Sequence, residues 1–164
     1  MQKPLAALLA QDRIITDLQA ADRWQAIDEL LDKLIQSHAV DPANRCAIAA
    51  VVRKREQSMS TGIGCGIGIP HAITDCITQA VAALGRSHRG IAFDALDGQP
   101  VSLVVLFLVP RGQMQQHLHT MGGIARLLQH ADTRQALQQA PDAAAILQLI
   151  QHHEALSPSQ TVHP

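Results

Sequence analysis

The sequence predicts a single α/β domain in which a mixed β-sheet is flanked by helices on both faces. A length of 164 residues suits one domain of ordinary size. Residues 101–109 form an almost wholly apolar run that is rich in β-branched side chains, as in a central strand covered on both faces. Helical and strand-like patterns follow one another in mixed order along the chain, which is typical of helices layered on a sheet.

The N-terminal part is predicted to be mainly helical. Residues 4–10 have the pattern of a short helix start, and the β-branched run at 14–18 predicts a short strand. From 22 to 37 apolar residues recur three and four apart, which predicts an amphipathic helix. The Asp-Pro pair at 41–42 has the residue types of an N-cap and a first helical position, so a second helix is expected from there to about residue 56.

The rest of the chain is predicted to bring the strands together and to end in helices. Asp132 is the candidate N-cap of one of these helices, and the apolar stripe of the helix before it is expected to contain Leu118, Met121, Ala125 and Leu128. The domain is expected to span 1–155, followed by a disordered tail at 156–164. The predicted elements are a strand at 80–84, a polar turn at 86–90, an Asp-Gly turn at 94–98, the central strand at 101–109, and helices at 113–130, 132–140 and from 141 onward.

Composition argues against several classes of function. The net charge is −1, and the aromatic side chains are only Trp24, Phe93 and Phe107, so the basic stripe and stacking platforms of nucleic-acid-binding proteins are missing. The same charge argues against binding to a membrane surface. The apolar run near the N-terminus is too short for a membrane span, and three cysteines make no disulfide framework. We therefore expect a cytoplasmic protein with free thiols.

The segment from Thr61 to Ala72 has the most unusual pattern in the chain. Four glycines alternate with apolar residues, which predicts an extended segment with one apolar face and a bare backbone on the other. Pro70 is expected to end this strand and to hold His71 at a stiff exit. Two interpretations follow from this segment alone: a histidine that takes part in chemistry, or a glycine-rich edge strand beside a chance histidine.

Two further residues are candidates on position. His117 lies at the edge of the predicted buried stripe of its helix, just after the central strand, and sites form at such strand ends in open α/β sheets. The alternative is a half-buried histidine bonded to backbone. Arg55 lies near the end of the second helix, where it would clamp a phosphate or carboxylate if it faces His71. A solvated arginine at a helix C-terminus is the alternative.

Metal and nucleotide motifs are missing from the sequence. Cys65, His71 and Cys76 lack a recognised ligand spacing, and a helix would direct the rings of His117 and His119 about 160° apart. An extended strand would also place Cys65 too far from His71 for a Cys–His nucleophile. The glycine-rich segment has neither the Walker nor the Rossmann spacing. We predict no metal and no nucleotide cofactor.

These motifs together resemble the enzyme IIA domain of the sugar phosphotransferase system, of the mannitol/fructose type, which includes the nitrogen-regulatory IIA proteins. That family has a helix ending in Arg-Glu, then Thr-Gly, then Gly-Ile-Ala-Ile-Pro-His, and further on an apolar strand ending in Pro and a His-Leu pair that opens a helix. Gly68 stands where the family usually has alanine, and the resemblance covers about residues 4–154. The matching segments here are Arg55-Glu56, Thr61-Gly62, Gly66 to His71, Val101 to Pro110 and His117-Leu118.

The resemblance implies that the protein carries a phosphoryl group. His71 matches the phosphorylated histidine, His117 a second, supporting histidine, and Arg55 an arginine that stabilises the phosphate. The implied donor is HPr or a paralogue, and the implied acceptor is an IIB domain, with an apolar docking rim of Ile67, Ile69 and Met121. Cofactors, metals, nucleic acid and membrane insertion play no part in this reaction, since the donor is already a phosphohistidine.

Two other functions remain open at this point. A nitrogen-type IIA protein would use its phosphorylation state to control binding to a regulatory target, without transporting sugar. A degenerate domain would have kept only the fold. The presence of Arg55, His71 and His117 argues against the second alternative.

Overall fold

The computed structural model describes residues 3–156, apart from the side chain of Met114. Two 3₁₀ turns, at Gln11–Arg13 and Pro42–Asn44, connect elements in the N-terminal part. The helices are α1 (Leu5–Leu8), α2 (Arg23–Gln36), α3 (Arg45–Ser58), α4 (Met114–Gln129), α5 (Ala131–Gln139) and α6 (Ala143–Leu156). The strands are β1 (Ile14–Ile15), β2 (Gly62–Gly64), β3 (Ile67–Gly68), β4 (His71–Thr74), β5 (Val81–Ile91) and β6 (Val101–Pro110).

The strands form one mixed sheet with β6 at its centre. The order is β1-β5-β6-β3-β2, and β4 also pairs with β6. β5 runs antiparallel to β6, whereas β3 and β4 both run parallel to it, at successive positions along its length. The prediction of a mixed sheet with a central strand at 101–109 is confirmed.

Side chains of β6 alternate between two hydrophobic cores, one on each face of the sheet. Val104, Leu106 and Leu108 pack with α2 and α3, while Val105 and Phe107 pack with α1, α4 and α6. Period-two alternation in a strand produces this division. Helices therefore cover both faces, as the sequence predicts.

Most helix predictions are confirmed, with corrections at three places. Helix α3 begins at Arg45, because the Asp41 carboxylate accepts a hydrogen bond from Ala43 N and caps a 3₁₀ turn instead. Asp132 lies in the first turn of α5 rather than at its N-cap. The predicted stripe of α4 is wrong at Leu118, which is 67% exposed, because the buried face runs through His117 and Ile124.

The predicted polar turn at 86–90 is wrong, since β5 continues through it to Ile91, with an irregularity in its pairing. Arg86 is only 4% exposed. Its guanidinium donates hydrogen bonds to the carbonyl oxygens of Thr16, Leu137 and Ala140. The last two carbonyls lie at the C-terminal end of α5, where a cation is favoured. Tertiary partners therefore allow a charged side chain inside a strand.

The glycine-rich segment is also not one extended strand. Strands β2 and β3 form an antiparallel hairpin around Gly64, Cys65 and Gly66, whose φ angles are 99°, 57° and 78°. Left-handed backbone of this kind is easy for glycine. At Cys65 the backbone N–H donates to the Asp97 carboxylate at 3.0 Å, which holds the turn.

The tail predicted at 156–164 lies outside the described residues, except for Leu156, which ends α6. Residues 3–156 include no helix that has both the length and the apolar character required to span a bilayer.

Gly68, the position where the resemblance leads us to expect alanine, lies against the ring of Phe93. A Cβ atom added at Gly68 would stand 2.7 Å from Phe93 Cζ. Phe93 is 1% exposed and belongs to the core under α2 and α3. The aromatic ring therefore fills the space that an alanine methyl would need.

We predict that Gly68→Ala lowers the free energy of unfolding by about 1–3 kcal/mol, the usual cost of overpacking a core. The double variant Gly68→Ala, Phe93→Leu should regain part of the loss, because leucine lacks the ring atoms that clash. Urea denaturation measures both. Gly123→Ala is the matched control, since its added Cβ meets no atom within 4 Å. Equal stability of Gly68→Ala and wild type would contradict this packing.

Candidate functional site

His71 is the first residue of β4, and its position is set by the central strand. It pairs in register with Phe107 of β6, and the carbonyl of Pro70 accepts a hydrogen bond from Phe107 N at 3.0 Å. The strand β3 ends just before Pro70, as predicted, but His71 then opens the further strand β4 and does not lie at an exit from the sheet. The backbone that carries the imidazole is therefore held by the pairing of β3 and β4 with β6.

The ring of His71 is oriented by its own backbone. Nδ1 lies 2.9 Å from the carbonyl oxygen of Ile69. Because a carbonyl oxygen only accepts, this hydrogen bond requires the proton on Nδ1 and leaves the lone pair on Nε2. The arrangement presents Nε2 as a nucleophile or a hydrogen-bond acceptor.

His117 lies in the first turn of α4 and packs beside His71. It is 7% exposed, and its ring stacks on Phe107 with a centroid distance of 5.4 Å and an interplanar angle of 5°. The His71 and His117 centroids are 5.2 Å apart. His119, two residues further along α4, is exposed. The structure therefore brings the two candidate histidines together.

Both imidazoles are held neutral at pH 7. Burial, followed by the charge of Arg55, lowers the pKa of His71, although the Ile69 hydrogen bond and the Glu56 charge oppose this. Burial, followed by the charges of His71 and Arg55, lowers the pKa of His117 to about 4. Nδ1 of His117 is buried and has no hydrogen-bond partner within residues 3–156, which suits an uncharged ring.

Arg55 lies in the last turn of α3, near enough for its charge to lower the pKa of both histidines. Its Nη1 atom donates to the carbonyl of Met59 at 3.0 Å and to Ser58 Oγ at 3.4 Å. These bonds are those of an arginine that caps the end of its own helix. The structure thus places Arg55 beside the histidine pair without a direct hydrogen bond to it among the described residues.

Two features of the site were not predicted correctly from the sequence. Phe107, whose ring stacks on His117, is predicted from the sequence only as part of an apolar strand. Because side chains alternate between the two faces of a strand, Phe107 lies on the side of α4, opposite to Leu106 and Leu108. The docking rim of Ile67, Ile69 and Met121 is wrong for both isoleucines, which are 1% exposed because they face the core beneath α4 and α6.

The described part of the chain contains no group of three or more His, Cys, Asp or Glu side chains placed to hold a metal ion.

Comparison with known proteins identifies the family of the chain. A family model described as "Phosphoenolpyruvate-dependent sugar phosphotransferase system, EIIA 2" matches residues 7–153. The fructose-specific EIIA component of Haloferax volcanii is 39% identical over 120 residues, which cover 73% of this chain and 77% of that protein. A nitrogen regulatory protein of Bradyrhizobium diazoefficiens is 33% identical over 147 residues, which cover 90% and 94% of the two chains.

Solved structures share the fold. The nitrogen regulatory protein IIA-Ntr of Neisseria meningitidis superposes with a TM-score of 0.81 at 26% identity, covering 88% of this chain and 97% of that one. IIA mannitol of Escherichia coli gives a TM-score of 0.74 at 18% identity, covering 87% and 98%. The chain therefore belongs to the EIIA type 2 family of the phosphoenolpyruvate-dependent sugar phosphotransferase system, with a phosphoryl-transfer or regulatory role in such a system.

Proposed function

We propose that this protein accepts a phosphoryl group on Nε2 of His71 from a phosphorylated HPr-like carrier and passes it to an IIB-type partner. The observation that carries the proposal is the 2.9 Å hydrogen bond from His71 Nδ1 to the Ile69 carbonyl, which leaves Nε2 free beside His117. A neutral imidazole with a fixed tautomer is a good nucleophile at neutral pH.

The chemical step transfers PO₃ between two nitrogen atoms. The lone pair on His71 Nε2 attacks phosphorus, the new P–N bond forms, and the P–N bond to the donor imidazole breaks with its electron pair returning to the donor ring. The proton on His71 Nδ1 stays in its hydrogen bond to Ile69, so the ring carries the positive charge of the phosphorylated imidazole. Transfer to the IIB-type partner reverses these events.

Neighbouring groups would stabilise the transferred oxygens. Phosphoryl transfer passes through a loose transition state, so the protein acts mainly by positioning and by electrostatics. In this proposal His117 contributes a ring nitrogen next to the phosphoryl group. Arg55, whose Nη1 donates to Ser58 and Met59 at the end of its own helix, exchanges the Met59 carbonyl for a phosphoryl oxygen.

The class of partner is supported by relatives. IIA mannitol of Escherichia coli, which shares the fold at 18% identity, has been solved in complex with phosphorylated IIB mannitol. In our proposal the phosphoryl group moves between proteins in the cytoplasm. The reaction uses neither a nucleotide nor a metal, because a phosphohistidine donor already carries an activated phosphoryl group.

We predict that phosphoenolpyruvate, enzyme I and HPr label the protein with an acid-labile phosphoryl group on His71. His71→Ala should take up no label. His117→Ala should label about a hundredfold more slowly, as for the loss of one stabilising group. His119→Ala is the matched control and should label at the wild-type rate, because that side chain is exposed on another face of α4. Label retained by His71→Ala would refute the assignment.

We predict that the rate of phosphoryl acceptance rises with increasing pH and has already reached its plateau at pH 7. The pKa of His71 is lowered from its ordinary value of 6.5, so protonation removes the nucleophile only at lower pH. Arg55→Gln should shift the profile upward in pH, because it removes a positive charge that opposes protonation. A pH–rate profile and NMR titration of the His71 ring measure this.

Lys54→Gln is the control for that experiment, since it removes the same charge from an exposed side chain one residue earlier in α3. A profile that Arg55→Gln leaves unmoved, or shifts to lower pH, would show that Arg55 does not act on His71.

A regulatory role is the second candidate. The nitrogen regulatory protein of Bradyrhizobium diazoefficiens aligns with 90% of this chain and 94% of its own length, so the two proteins match over nearly their whole lengths. In this role the phosphorylation state of His71 would control binding to another protein.

We predict that, in a regulatory protein, His71→Ala and His71→Asp capture different amounts of one target, because aspartate adds a negative charge where the phosphoryl group would stand. Affinity capture from the native host, followed by mass spectrometry, measures this. Recovery of an IIB-containing permease by wild type would favour transport, and equal capture of a non-permease target by both variants would contradict phosphorylation-controlled regulation.

A further inference from the structure

Glu56 is the most deeply buried carboxylate near the site. The residue is 1% exposed, at the C-terminal end of α3, next to Arg55. Its Oε1 atom accepts a hydrogen bond from Thr61 N at 3.0 Å, and Oε2 accepts one from Thr61 Oγ1 at 2.6 Å. Arg23 Nη1 lies 3.5 Å from Oε1 and forms an ion pair that balances the charge. Burial of a carboxylate is costly, and here the cost is offset by two hydrogen bonds from Thr61 and the ion pair with Arg23.

Hydrogen bonds connect Glu56 to the ring of His71 through two intervening residues, Thr61 and Ile69. Both polar groups of Thr61 that can donate, N–H and Oγ1–H, are bound to Glu56. The carbonyl of Thr61 accepts a hydrogen bond from Ile69 N at 3.1 Å. The carbonyl of Ile69 in turn accepts the hydrogen bond from His71 Nδ1 at 2.9 Å. Only three links separate the carboxylate from the imidazole.

We propose that Glu56 is a positioning residue for the phosphoryl site: through Thr61 and Ile69 it holds the carbonyl that selects the tautomer of His71. The inference rests on the proposed function of His71 and adds a residue to it. Glu56 does not touch the phosphoryl group. Its bonds to Thr61 attach the hairpin that precedes His71 to the C-terminal end of α3, the helix that carries Arg55. Glu56 therefore helps to set the positions of both Arg55 and His71.

The charge of Glu56 adds a second effect. It raises the pKa of His71 against the lowering by burial and by Arg55. The groups that face His71 are Arg55 and Glu56 from α3, His117 from α4 and the apolar ring of Phe107 from β6. Removal of the carboxylate charge therefore leaves Arg55 unopposed, and the pKa of His71 should fall further.

The test uses variants that separate positioning from general stability. Glu56→Gln removes the charge. Thr61→Val removes the hydroxyl bond with almost no change in shape, and Thr61→Ser restores a hydroxyl. Glu29→Gln is the matched control, because the Glu29 carboxylate likewise accepts hydrogen bonds from neighbouring residues, here the backbone N–H groups of Gln19 and Ala20, but does not act on His71.

Two-bond ¹⁵N–¹H correlation spectra of the unphosphorylated full chain report the tautomer and the pKa of the His71 ring. Wild type should show the Nδ1–H tautomer. Glu56→Gln should lower the pKa and reduce the Nδ1–H population, and Thr61→Val should reduce that population. Both variants should slow phosphorylation at least tenfold, as expected for a displaced reacting group. Thr61→Ser and Glu29→Gln should match wild type in every His71 signal.

A merely structural role would lower the thermal midpoint of the variants and leave the His71 signals unchanged. That result in folded Glu56→Gln and Thr61→Val would overturn the proposal. If Glu56→Gln does not fold, the Thr61→Val and Thr61→Ser pair decides. A wild-type ring in the Nε2–H tautomer would overturn the proposal without any variant. These spectra need no phosphoryl donor, so failure of His71 to accept phosphate would refute the proposed function separately.

Discussion

The hydrogen bond between His71 Nδ1 and the Ile69 carbonyl is the interaction on which the proposed chemistry of this site depends. An unconstrained imidazole exchanges its proton between two nitrogens, whereas a ring bonded to a fixed carbonyl presents one lone pair at one place. The bond spans only two residues, so its geometry is set by the backbone between Ile69 and His71. Pro70 stiffens that backbone, and the pairing of β4 with β6 holds it.

The sheet and one helix then supply the second histidine. Phe107 pairs with His71 across the ladder and also stacks on His117, so one apolar side chain sets the distance between two imidazoles that come from elements far apart in sequence. The same burial keeps both rings neutral. Nucleophilicity at neutral pH is thus a consequence of packing, since desolvation disfavours the imidazolium form.

Glycine-rich sequence before the histidine has a structural explanation in the hairpin. Residues 64–66 all have left-handed backbone, and Gly68 gives its space to Phe93. The segment before His71 is therefore a short, tightly packed hairpin and not the flat edge strand that simple alternation suggests. Thr61 connects this hairpin to the end of α3, because its N–H donates to Glu56 and its carbonyl accepts from Ile69 N. Arg55 and His71 are therefore linked through the same bonded segment.

The residue pattern alone was sufficient for the elements whose burial is periodic. The amphipathic helix at 22–37 and the central strand at 101–109 were predicted correctly, because apolar side chains that face one core repeat with the period of the element. Arg86 shows the limit of this reasoning. Its charge suggested a turn, and only the carbonyl groups at the end of α5, about fifty residues later, make it compatible with a strand.

The functional residues divide in the same way. The sequence by itself singled out the side chains to which we assign the proposed chemistry, because Arg55, His71 and His117 are candidates by type, order and local motif. Only the tertiary structure decided the 5.2 Å approach of the two rings, the tautomer of His71 and the hydrogen bond of Arg55 to the Met59 carbonyl. The physical reason is that these properties arise from desolvation and hydrogen bonds between segments that meet only when the sheet and its covering helices pack together.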